Sequence, residues 1–145
     1  MKKITPFLWF DDKAEEAAKF YISIFKSGKI ISSSPMLVNF EIEGQEIMAL
    51  NGGPMYKFTE AFSFYVECKD QAEVDYFWDK LSKEGETSQC GWLKDKYGLS
   101  WQIIPETLGE LMGDPDQEKS NRVFQAMLKM EKISIEGLQK AYDNK

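Results

Sequence analysis

The sequence predicts an α+β fold in which two βαβββ modules, about residues 3–53 and 60–105, form a curved mixed sheet around a cleft, with helices after them. The order of a strand, a helix and further strands occurs twice along the chain, and the two predicted helices begin at Asp12 and Asp70, 58 positions apart (70 − 12). A length of 145 residues and a hydrophobic content of 43% are sufficient for one packed domain, which we assign to residues 1–145.

The first module begins with a strand predicted over Lys3–Phe10. The segment "DDKAEEAAKFYISIF" follows with apolar residues at helical spacing, and Asp12 with Glu15 three residues later predicts a capping box at the start of the helix. Three strands are then predicted in "KIISSS", "MLVNFEIE" and "QEIMALN". The turn between the last two strands lies in "EIEGQE", and "NGGP" closes the module.

The second module repeats this order of elements. The segment "AFSFYVEC" predicts a strand, and "DQAEVDYFWDKLSKEG" predicts a helix that is capped by Asp70 with Glu73. The segments "ETSQCGW", "WLKDKYG" and "SWQIIP" then predict strands and turns. We expect Lys94, Asp95 and Lys96 to form a solvated hairpin tip, with a glycine completing the turn.

The chain is predicted to be helical after Pro105, in a C-terminal segment over residues 106–145. The segment "PETLGELM" predicts a short helix, and Asp114 with Pro115 at the first helical position predicts the start of a second one. Ser134 is the predicted cap of a third helix. The broad apolar face of "VFQAMLKMEKI" leaves two packing partners open, the sheet of the same chain or a second subunit.

Charge and composition exclude several classes of partner. The net charge of −6 argues against nucleic acid, because an acidic surface repels phosphate backbones. No apolar run approaches the roughly 18 residues of a membrane helix, so we expect no membrane partner. The opening "MKKITPFLWF" is interpreted as a strand and not as a signal peptide, because aspartates follow it at once. Cys68 and Cys90 form no disulfide framework, and we therefore expect a cytoplasmic protein.

The chain contains no histidine, which removes Ser-His and Cys-His catalysis and the commonest transition-metal ligand. A cysteine nucleophile needs a neighbouring base or a helix N-terminus to form its thiolate. Lys94 and Lys96 are near Cys90 in sequence, but we expect Cys90 to be a structural or cleft-lining residue.

Several segments together resemble the PhnB-like group of the vicinal oxygen chelate superfamily: "ITPFLWF", "AEEAAKFY", "ALNGGP", "FTEAFSFYVECKDQ", "SQCGWLKDKYGLSWQIIP" and, near the end, "DPDQEKSNRVFQAMLKMEKI". That superfamily contains glyoxalase I, bleomycin-resistance proteins and extradiol dioxygenases. The resemblance implies the glyoxalase/bleomycin-resistance fold and a homodimer. Members are often labelled as demethylubiquinone methyltransferase-like, but "NGGP" lacks the G-x-G-x-x-G spacing of a nucleotide cradle and gives that activity no support.

One connection departs from the pattern of the group. Similar proteins usually carry a longer loop rich in Gly and Pro between the strands near Ser34 and Met36, whereas "SSSPM" alone joins them here. Either the loop is short in this protein, or part of it is missing from this sequence. In both cases, residues that would line one mouth of the cleft are absent.

The resemblance also implies where metal-dependent relatives hold their metal. Their last-strand pattern D-x-x-G-x-x-x-E corresponds here to Asp95, Gly98 and then Gln102 in place of the glutamate. The other ligand positions fall, by resemblance, near Thr5, Asn51 and Ser63. Neutral oxygen donors of this kind are weak ligands for Zn²⁺ or Fe²⁺. We therefore predict no transition-metal site and no cofactor.

The same polar residues suit a pocket for a small organic molecule. Strand alternation places Ser63, Tyr65 and Glu67 on one face, and Gln102 shares a face with Ser100. A concave sheet with a few hydrogen-bonding groups among aromatic side chains is typical of a ligand site. The predicted cleft residues are Phe7, Trp9, Asn51, Ser63, Tyr65, Trp92 and Gln102. Each of the aromatic side chains could equally belong to the core.

Three functions remain open on this reading. The first is a protein that binds a small organic ligand without a transition metal, for sequestration or sensing. The second is an enzyme of the same fold that acts on a carbonyl-containing substrate, with Glu67 or Tyr65 as the acid or base. The third is a member of the family that has lost its ligand and acts through protein contacts.

Overall fold

The structure, a computed structural model, describes residues 2–145. The chain divides into two compact units, the first ending at Phe58 and the second beginning at Thr59. This division follows the two predicted modules, and the C-terminal helices belong to the second unit. Within the described part of the chain, none of the helices has the length and apolar character needed to cross a bilayer.

The strands and helices follow the order predicted from the sequence. The strands are β1 (Phe7–Phe10), β2 (Gly28–Ser33), β3 (Leu37–Ile42), β4 (Gln45–Asn51), β5 (Ser63–Cys68), β6 (Glu86–Thr87), β7 (Trp92–Lys94) and β8 (Ser100–Pro105). The helices are α1 (Ala14–Ile24), α2 (Gln71–Ser82), α3 (Glu106–Met112), α4 (Gln117–Leu128) and α5 (Ile135–Asp143).

Each unit contains a four-stranded sheet, and the two sheets have the same connectivity. The strand orders are β1-β4-β3-β2 in the first unit and β5-β8-β7-β6 in the second. In both, the first strand pairs in parallel with the last, and the remaining pairs are antiparallel. The predicted βαβββ repeat and the α+β fold class are therefore confirmed. The strands form one mixed sheet in each unit, in place of the single curved sheet that was expected.

The core of the first unit lies between α1 and one face of its sheet. The alternation of apolar residues buries Leu8 of β1 and Phe40 of β3 on that face, while Tyr21 is fully buried on α1. The rings of Tyr21 and Phe40 stack with their centroids 6.3 Å apart. Phe7 and Trp9 of β1 point to the opposite face, as the period of two requires.

The connection "SSSPM" closes as a tight turn between β2 and β3. The backbone N–H of Ser34 donates to the carbonyl oxygen of Leu37 at 2.9 Å. The backbone N–H of Leu37 donates in return to Oγ of Ser34 at 3.1 Å. Asn51 of β4 completes the turn, because its backbone N–H donates to the carbonyl oxygen of Met36 and its side-chain Nδ2 donates to that of Pro35.

The start of α1 differs from the predicted capping box. Lys13 is the residue before the helix, and its side chain forms no capping hydrogen bond with the first turn. The backbone N–H of Ala14 donates instead to Oδ1 of Asn51, at the end of β4, at 2.8 Å. The prediction for Asp12 and Glu15 is therefore wrong, because a residue of a distant strand supplies the cap. Glu15 accepts a hydrogen bond from the hydroxyl of Ser33.

The predicted capping box of α2 is confirmed. Oδ1 of Asp70 accepts the backbone N–H of Glu73 at 2.9 Å. The Glu73 carboxylate accepts the backbone N–H of Lys69 at 3.0 Å, so the helix entry is fixed from both sides. The apolar stripe of α2 is buried through Val74, Trp78 and Leu81. The sheet face towards α2 carries the buried residues Leu93, Trp101 and Ile103.

The hairpin between β7 and β8 is built around a buried carboxylate. Asp95 is only 2% exposed, so the prediction of a solvated tip is wrong for this residue. Its Oδ1 accepts the backbone N–H groups of Tyr97 and Leu99, and its Oδ2 accepts the indole N–H of Trp101 at 2.9 Å. Lys94 lies within β7 and not in the tip. The carboxylate is buried because the turn folds back over an aromatic core residue.

The predicted cap is wrong for α4 and correct for α5. Asp116 caps α4 by accepting the backbone N–H of Glu118 at 3.0 Å. The prediction that Asp114 caps this helix is wrong, because its carboxylate accepts the N–H of Asp116 and forms the turn before the helix. Ser134 caps α5 as predicted, accepting the N–H of Gly137 at 3.0 Å.

The three C-terminal helices enclose a small core that includes the end of β8. Its buried members are Ile104, Leu108, Val123, Ile133 and Leu138. Met127 and Met130 pack against this cluster. The Val123, Met127 and Met130 part of the apolar face thus packs within its own chain, at the Ile104 end of the second sheet. Phe124 and Leu128 of the same face are exposed, so packing on a second subunit stays a prediction.

Candidate ligand-binding site

Strand register brings four of the predicted cleft residues together on one face of the second sheet. Ser63 pairs with Ser100 and Tyr65 with Gln102 across β5 and β8, and Trp92 pairs with Gln102 across β7 and β8. Residues paired across neighbouring strands point to the same side of a sheet. The face opposite α2 therefore carries Ser63, Tyr65, Trp92 and Gln102. We call it the open face of the second sheet.

A hydrogen bond between two neutral side chains lies at the centre of the open face. Nε2 of Gln102 donates to Oγ of Ser63 at 3.0 Å, and both residues are half-buried. Tyr65 lies beside Gln102 in the register and is 60% exposed. The amide orientation is thus held by a neighbouring strand, which makes Gln102 a fixed polar group on this face.

A cavity of about 500 Å³ adjoins the open face. Its lining combines a strand floor with the loop that connects β6 to β7. The lining residues are Glu60, Glu86, Thr87, Ser88, Gln89, Cys90, Trp92, Leu93, Lys94 and Ser100. All of them belong to the second unit. Cavities of this size accommodate small organic molecules.

Ser100 is the unusual residue of this cavity. It is 1% exposed, and its Oγ has no hydrogen-bond partner within residues 2–145. A buried hydroxyl without a partner is rare, because leaving it unsatisfied costs about 1–3 kcal/mol. The Oγ atom itself is closed to solvent, so a group in the cavity would supply the missing hydrogen bond only after displacing the side chains that cover it.

Three charged side chains line the cavity, and each of the two carboxylates lies beside the same lysine. Lys94 forms a salt bridge with Glu60, and Glu86 pairs with Lys94 in the register of β6 and β7. The hydrogen bond from Lys94 lowers the pKa of Glu60. The pKa of Lys94 is raised, chiefly by its hydrogen bond to Glu60 and then by the negative charges of Glu60 and Glu86. Lys94 is therefore protonated and already neutralised by carboxylates.

The two candidate acid or base residues lie on the open face, two positions apart on β5. Partial burial, followed by the charge of Glu67, raises the pKa of Tyr65. The phenol therefore stays protonated at neutral pH, where it can donate a hydrogen bond but not act as a base. Glu67 is exposed to solvent.

The two cysteines have different surroundings. Cys90 is half-buried and lines the cavity, in agreement with its predicted role as a cleft-lining residue. Its backbone has a φ of +61°, and its N–H donates to the carbonyl oxygen of Met130 at 2.7 Å. Cys68 points to the α2 side of the sheet and is fully buried. Burial, followed by the nearby carboxylates, raises the pKa of Cys68 to about 12.

The predicted cleft residues of the first unit do not share one face. Phe7, which is 53% exposed, and Trp9 point away from α1. The indole N–H of Trp9 donates to the carbonyl oxygen of Gly53 at 2.9 Å, and its ring meets that of Tyr56 edge-on. Asn51 points to the other side, where it caps α1. The prediction that grouped Asn51 with the two aromatics needs correction, because the strand alternation separates them.

The residues at the expected metal positions do not fit a transition metal. Residues 2–145 contain no group of three or more Cys, Asp or Glu side chains that could hold an ion. Gln102 and Ser63 bond to each other, and the Thr5 hydroxyl donates to the backbone of Lys2. The carboxylate of Asp95 is used by backbone and indole N–H groups. Neutral oxygen donors of this kind bind Zn²⁺ and Fe²⁺ weakly.

Sequence reasoning missed part of the cavity. The alternation that placed Ser100 on the face of Gln102 was sufficient to suggest it as a site residue, since it is a polar residue between apolar neighbours. Glu60 precedes β5 in a segment without regular structure, and Ser88 with Gln89 lies in a loop. Their placement beside Lys94 and Trp92 depends on tertiary contacts that no local pattern reveals.

Comparisons with known proteins agree on the family and the fold. The sequence profile of the 3-demethylubiquinone-9 3-methyltransferase family matches residues 2–104. A PhnB protein from Bacillus cereus, which carries the same methyltransferase name, has 35% identity and a TM-score of 0.66 over 72% of this chain and 99% of its own. A search of curated proteins gives no match.

Two further solved structures show the fold alone. A protein from Pseudomonas aeruginosa has 17% identity and a TM-score of 0.60 over 72% of this chain and 98% of its own. The fosfomycin resistance protein FosX from Listeria monocytogenes, solved with Mn(II) and a sulfate ion, has 18% identity and a TM-score of 0.53 over 70% of this chain and 88% of its own. Helices α3, α4 and α5 lie beyond the matched residues 2–104.

Proposed function

We propose that this chain binds a small organic molecule on the open face of its second sheet without a transition metal. The chain belongs to the 3-demethylubiquinone-9 3-methyltransferase family, which is the PhnB-like group of the vicinal oxygen chelate superfamily. The observation that carries the proposal is a cavity of about 500 Å³ beside the open face, whose lining includes Trp92 and Ser100, with the unpartnered hydroxyl of Ser100 buried behind it. A ligand that bonds this hydroxyl gains a hydrogen bond and removes an unsatisfied polar group at the same time.

The residues around Ser100 have complementary roles in such a site. Trp92 is half-buried at the cavity and offers an apolar surface for a ring or chain of the ligand. Gln102, held by Ser63, and the phenol of Tyr65 offer hydrogen bonds on the adjoining part of the open face. Few polar groups set among apolar walls orient a ligand in this way.

The test is a thermal-shift panel of metabolites, followed by titration of the hits. A ligand at 100 times its Kd stabilises the folded state by about 2.7 kcal/mol, which gives a clear increase in Tm. Ser100→Ala should weaken binding of each hit about fivefold to tenfold, as expected for one hydrogen bond of about 1–1.4 kcal/mol. Ser32→Ala, at an exposed strand position of the first unit, is the matched control and should bind as the wild type does. A panel without hits, or unchanged binding by Ser100→Ala, would overturn the proposal.

An enzyme acting on a carbonyl-containing molecule is the second candidate, and Tyr65 supports it. Its phenol is exposed on the open face and protonated at neutral pH, so it can donate a hydrogen bond to a carbonyl oxygen, while its raised pKa makes it a weak proton donor. Glu67, two positions away on the same face, is the candidate base. If turnover of a carbonyl compound is found, Tyr65→Phe and Glu67→Gln should each abolish it while leaving ligand binding in place. Turnover that survives both substitutions would exclude these roles.

The methyltransferase activity in the family description is not part of this proposal. The segment "NGGP" lacks the glycine spacing of a nucleotide cradle, and each sheet is mixed, with one parallel pair and two antiparallel pairs.

The proposal includes a cytoplasmic homodimer that does not bind nucleic acid. The free cysteines and the net charge of −6 support the location and the absence of nucleic acid. Exposed apolar side chains of the first unit support self-association, namely Ile4, Phe7, Met36, Met55 and Tyr56. Light scattering of the purified protein should give twice the chain mass of 16.8 kDa. A mass of one chain at micromolar concentration would contradict the dimer.

A further inference from the structure

We infer that the cavity beside Ser100 accepts a neutral or cationic molecule with a flat apolar part and one hydrogen-bonding group, and that it discriminates against anions. The inference rests on the proposed function and adds the chemical class of the ligand. It follows from the charges, the backbone and the buried hydroxyl that line the cavity.

The charged side chains at the cavity leave it with an excess of negative charge. Two carboxylates, Glu60 and Glu86, accompany a single ammonium group, that of Lys94. Lys94 is committed to its salt bridge with Glu60 and faces Glu86 across the strand pair. An entering anion would have to displace Glu60 from Lys94, and it would still meet Glu86. A cation meets two carboxylates, and a neutral molecule leaves the pair intact.

Four backbone N–H groups of the loop are already bonded and so give an anion no substitute for Lys94. Loops often bind anions through unused N–H groups that point into a cavity. Here the N–H groups of Ser88, Cys90, Gly91 and Trp92 already donate to the carbonyl oxygens of Trp92, Met130, Glu131 and Gln89, respectively. These donors are therefore not available to a carboxylate or phosphate.

The hydrogen-bonding and apolar parts of the ligand follow from Ser100 and Trp92. A serine hydroxyl both donates and accepts, so an alcohol, an amine or an amide of a ligand that displaces the side chains covering Oγ can satisfy Ser100. Trp92 lines the same cavity and provides a ring surface that favours a flat apolar group, and a cation near it gains further attraction. These preferences favour an aromatic amine or alcohol over the corresponding acid.

Three probes of one shape separate these classes: tryptamine, tryptophol and indole-3-acetate. They share an indole ring and differ in the charge of the side chain, which is positive, zero and negative at pH 7. Ligand-observed NMR titration of the full-length chain, at 50 mM salt, should give a Kd for indole-3-acetate at least about tenfold above those of the other two. Raising the salt to 0.5 M should bring the Kd values of tryptamine and indole-3-acetate closer together, because salt screens charges near the surface.

Matched variants test whether the cavity charges cause the preference. Glu86→Gln should reduce the ratio of the Kd of indole-3-acetate to the Kd of tryptamine by about threefold to tenfold. Glu110→Gln, at an exposed position of α3 outside the cavity, changes the net charge equally and should leave the ratio unchanged. Ser100→Ala should weaken the binding of tryptamine and of tryptophol by similar factors in Kd.

The outcomes distinguish this inference from the proposed function. Equal or tighter binding of indole-3-acetate, or equal effects of the two Glu→Gln variants, would show that the inference about the ligand class is wrong while the binding function stands. The same holds if no probe binds up to 10 mM but the metabolite panel yields a ligand of another class. If neither the probes nor the panel bind, the proposed function itself fails.

Discussion

The backbone N–H of Cys90 donates a 2.7 Å hydrogen bond to the carbonyl oxygen of Met130 and so joins the cavity loop to the segment between α4 and α5. The next residue, Gly91, donates to the carbonyl oxygen of Glu131 at 2.8 Å. The Glu131 carboxylate accepts the hydroxyl of Thr87 at 2.8 Å. The C-terminal helices, which lie beyond the residues matched by the family, thus hold one wall of the candidate site.

Gly91→Ala should disrupt this junction and destabilise the protein. Gly91 has a φ of +82°, and an added Cβ would lie 2.8 Å from Cδ1 of Ile104 and 2.9 Å from the carbonyl oxygen of Ile103. Left-handed backbone strain of about 1–2 kcal/mol and overpacking of about 1–3 kcal/mol predict a loss of about 2–5 kcal/mol in the free energy of unfolding, measured with urea.

Gly98→Ala is the matched control for that substitution. Gly98 has a similar φ of +86°, but nothing lies within 4 Å of an added Cβ. Its loss should be limited to the backbone strain of about 1–2 kcal/mol. Equal losses for the two variants would show that Gly91 does not pack against the C-terminal core.

Asp95→Ala should be strongly destabilising, in contrast to a substitution in a solvated turn. The change leaves the backbone N–H groups of Tyr97 and Leu99 and the indole N–H of Trp101 without their acceptor. Buried donors without a partner cost about 1–3 kcal/mol each, so we expect a loss of at least about 3 kcal/mol in urea unfolding. Asp95→Asn keeps one carbonyl acceptor and should lose less than the alanine variant. A loss below about 1 kcal/mol for Asp95→Ala would contradict the buried carboxylate.

Cys68 should make the protein less stable at alkaline pH. Its pKa is raised to about 12 in the folded state from an ordinary value of 9.0. Above pH 9 the unfolded chain loses the thiol proton while the folded chain keeps it. The stability from the neutral thiol is therefore complete below pH 9 and is lost as the pH rises towards 12, by up to about 1.4 kcal/mol per pH unit.

Urea unfolding between pH 8 and 10.5, with a reductant present, measures this loss. Cys68→Ala should show a shallower decrease of the free energy of unfolding with pH than the wild type, whatever its stability at pH 8. Cys90→Ala retains the buried thiol and should keep the slope of the wild type. Parallel curves for the wild type and Cys68→Ala would rule out the buried thiol as the cause.

Metal removal should leave the protein unchanged. The positions that correspond to metal ligands in metal-dependent relatives carry neutral side chains, and Gln102 is bonded to Ser63. Elemental analysis of the purified protein should find sub-stoichiometric Zn, Mn and Fe, and EDTA should not change the Tm. One tightly bound metal per chain, with a lower Tm after EDTA treatment, would contradict the proposed function without a metal.

Features that depend on neighbours in the chain were predictable from the sequence. The capping box of Asp70 with Glu73 and the cap of Ser134 each need only residues within three positions of the helix start. The same local logic failed at Asp12, because Asn51 of β4 reaches the first turn of α1 and takes over the cap. It failed at Asp95, because Trp101 from the next strand covers the carboxylate.

The sequence by itself determined the βαβββ repeat, the strand alternation and the shared face of Ser63, Tyr65 and Glu67 along β5. These follow from periods of 2 and 3.6 residues and from the chemistry of helix starts, which act over short distances. Strand register and the packing of the C-terminal helices decided the rest, since they bring distant residues together. The unpartnered hydroxyl of Ser100, the salt bridge between Glu60 and Lys94 and the wall held by Met130 depend on such contacts, and they define the ligand that this face can accept.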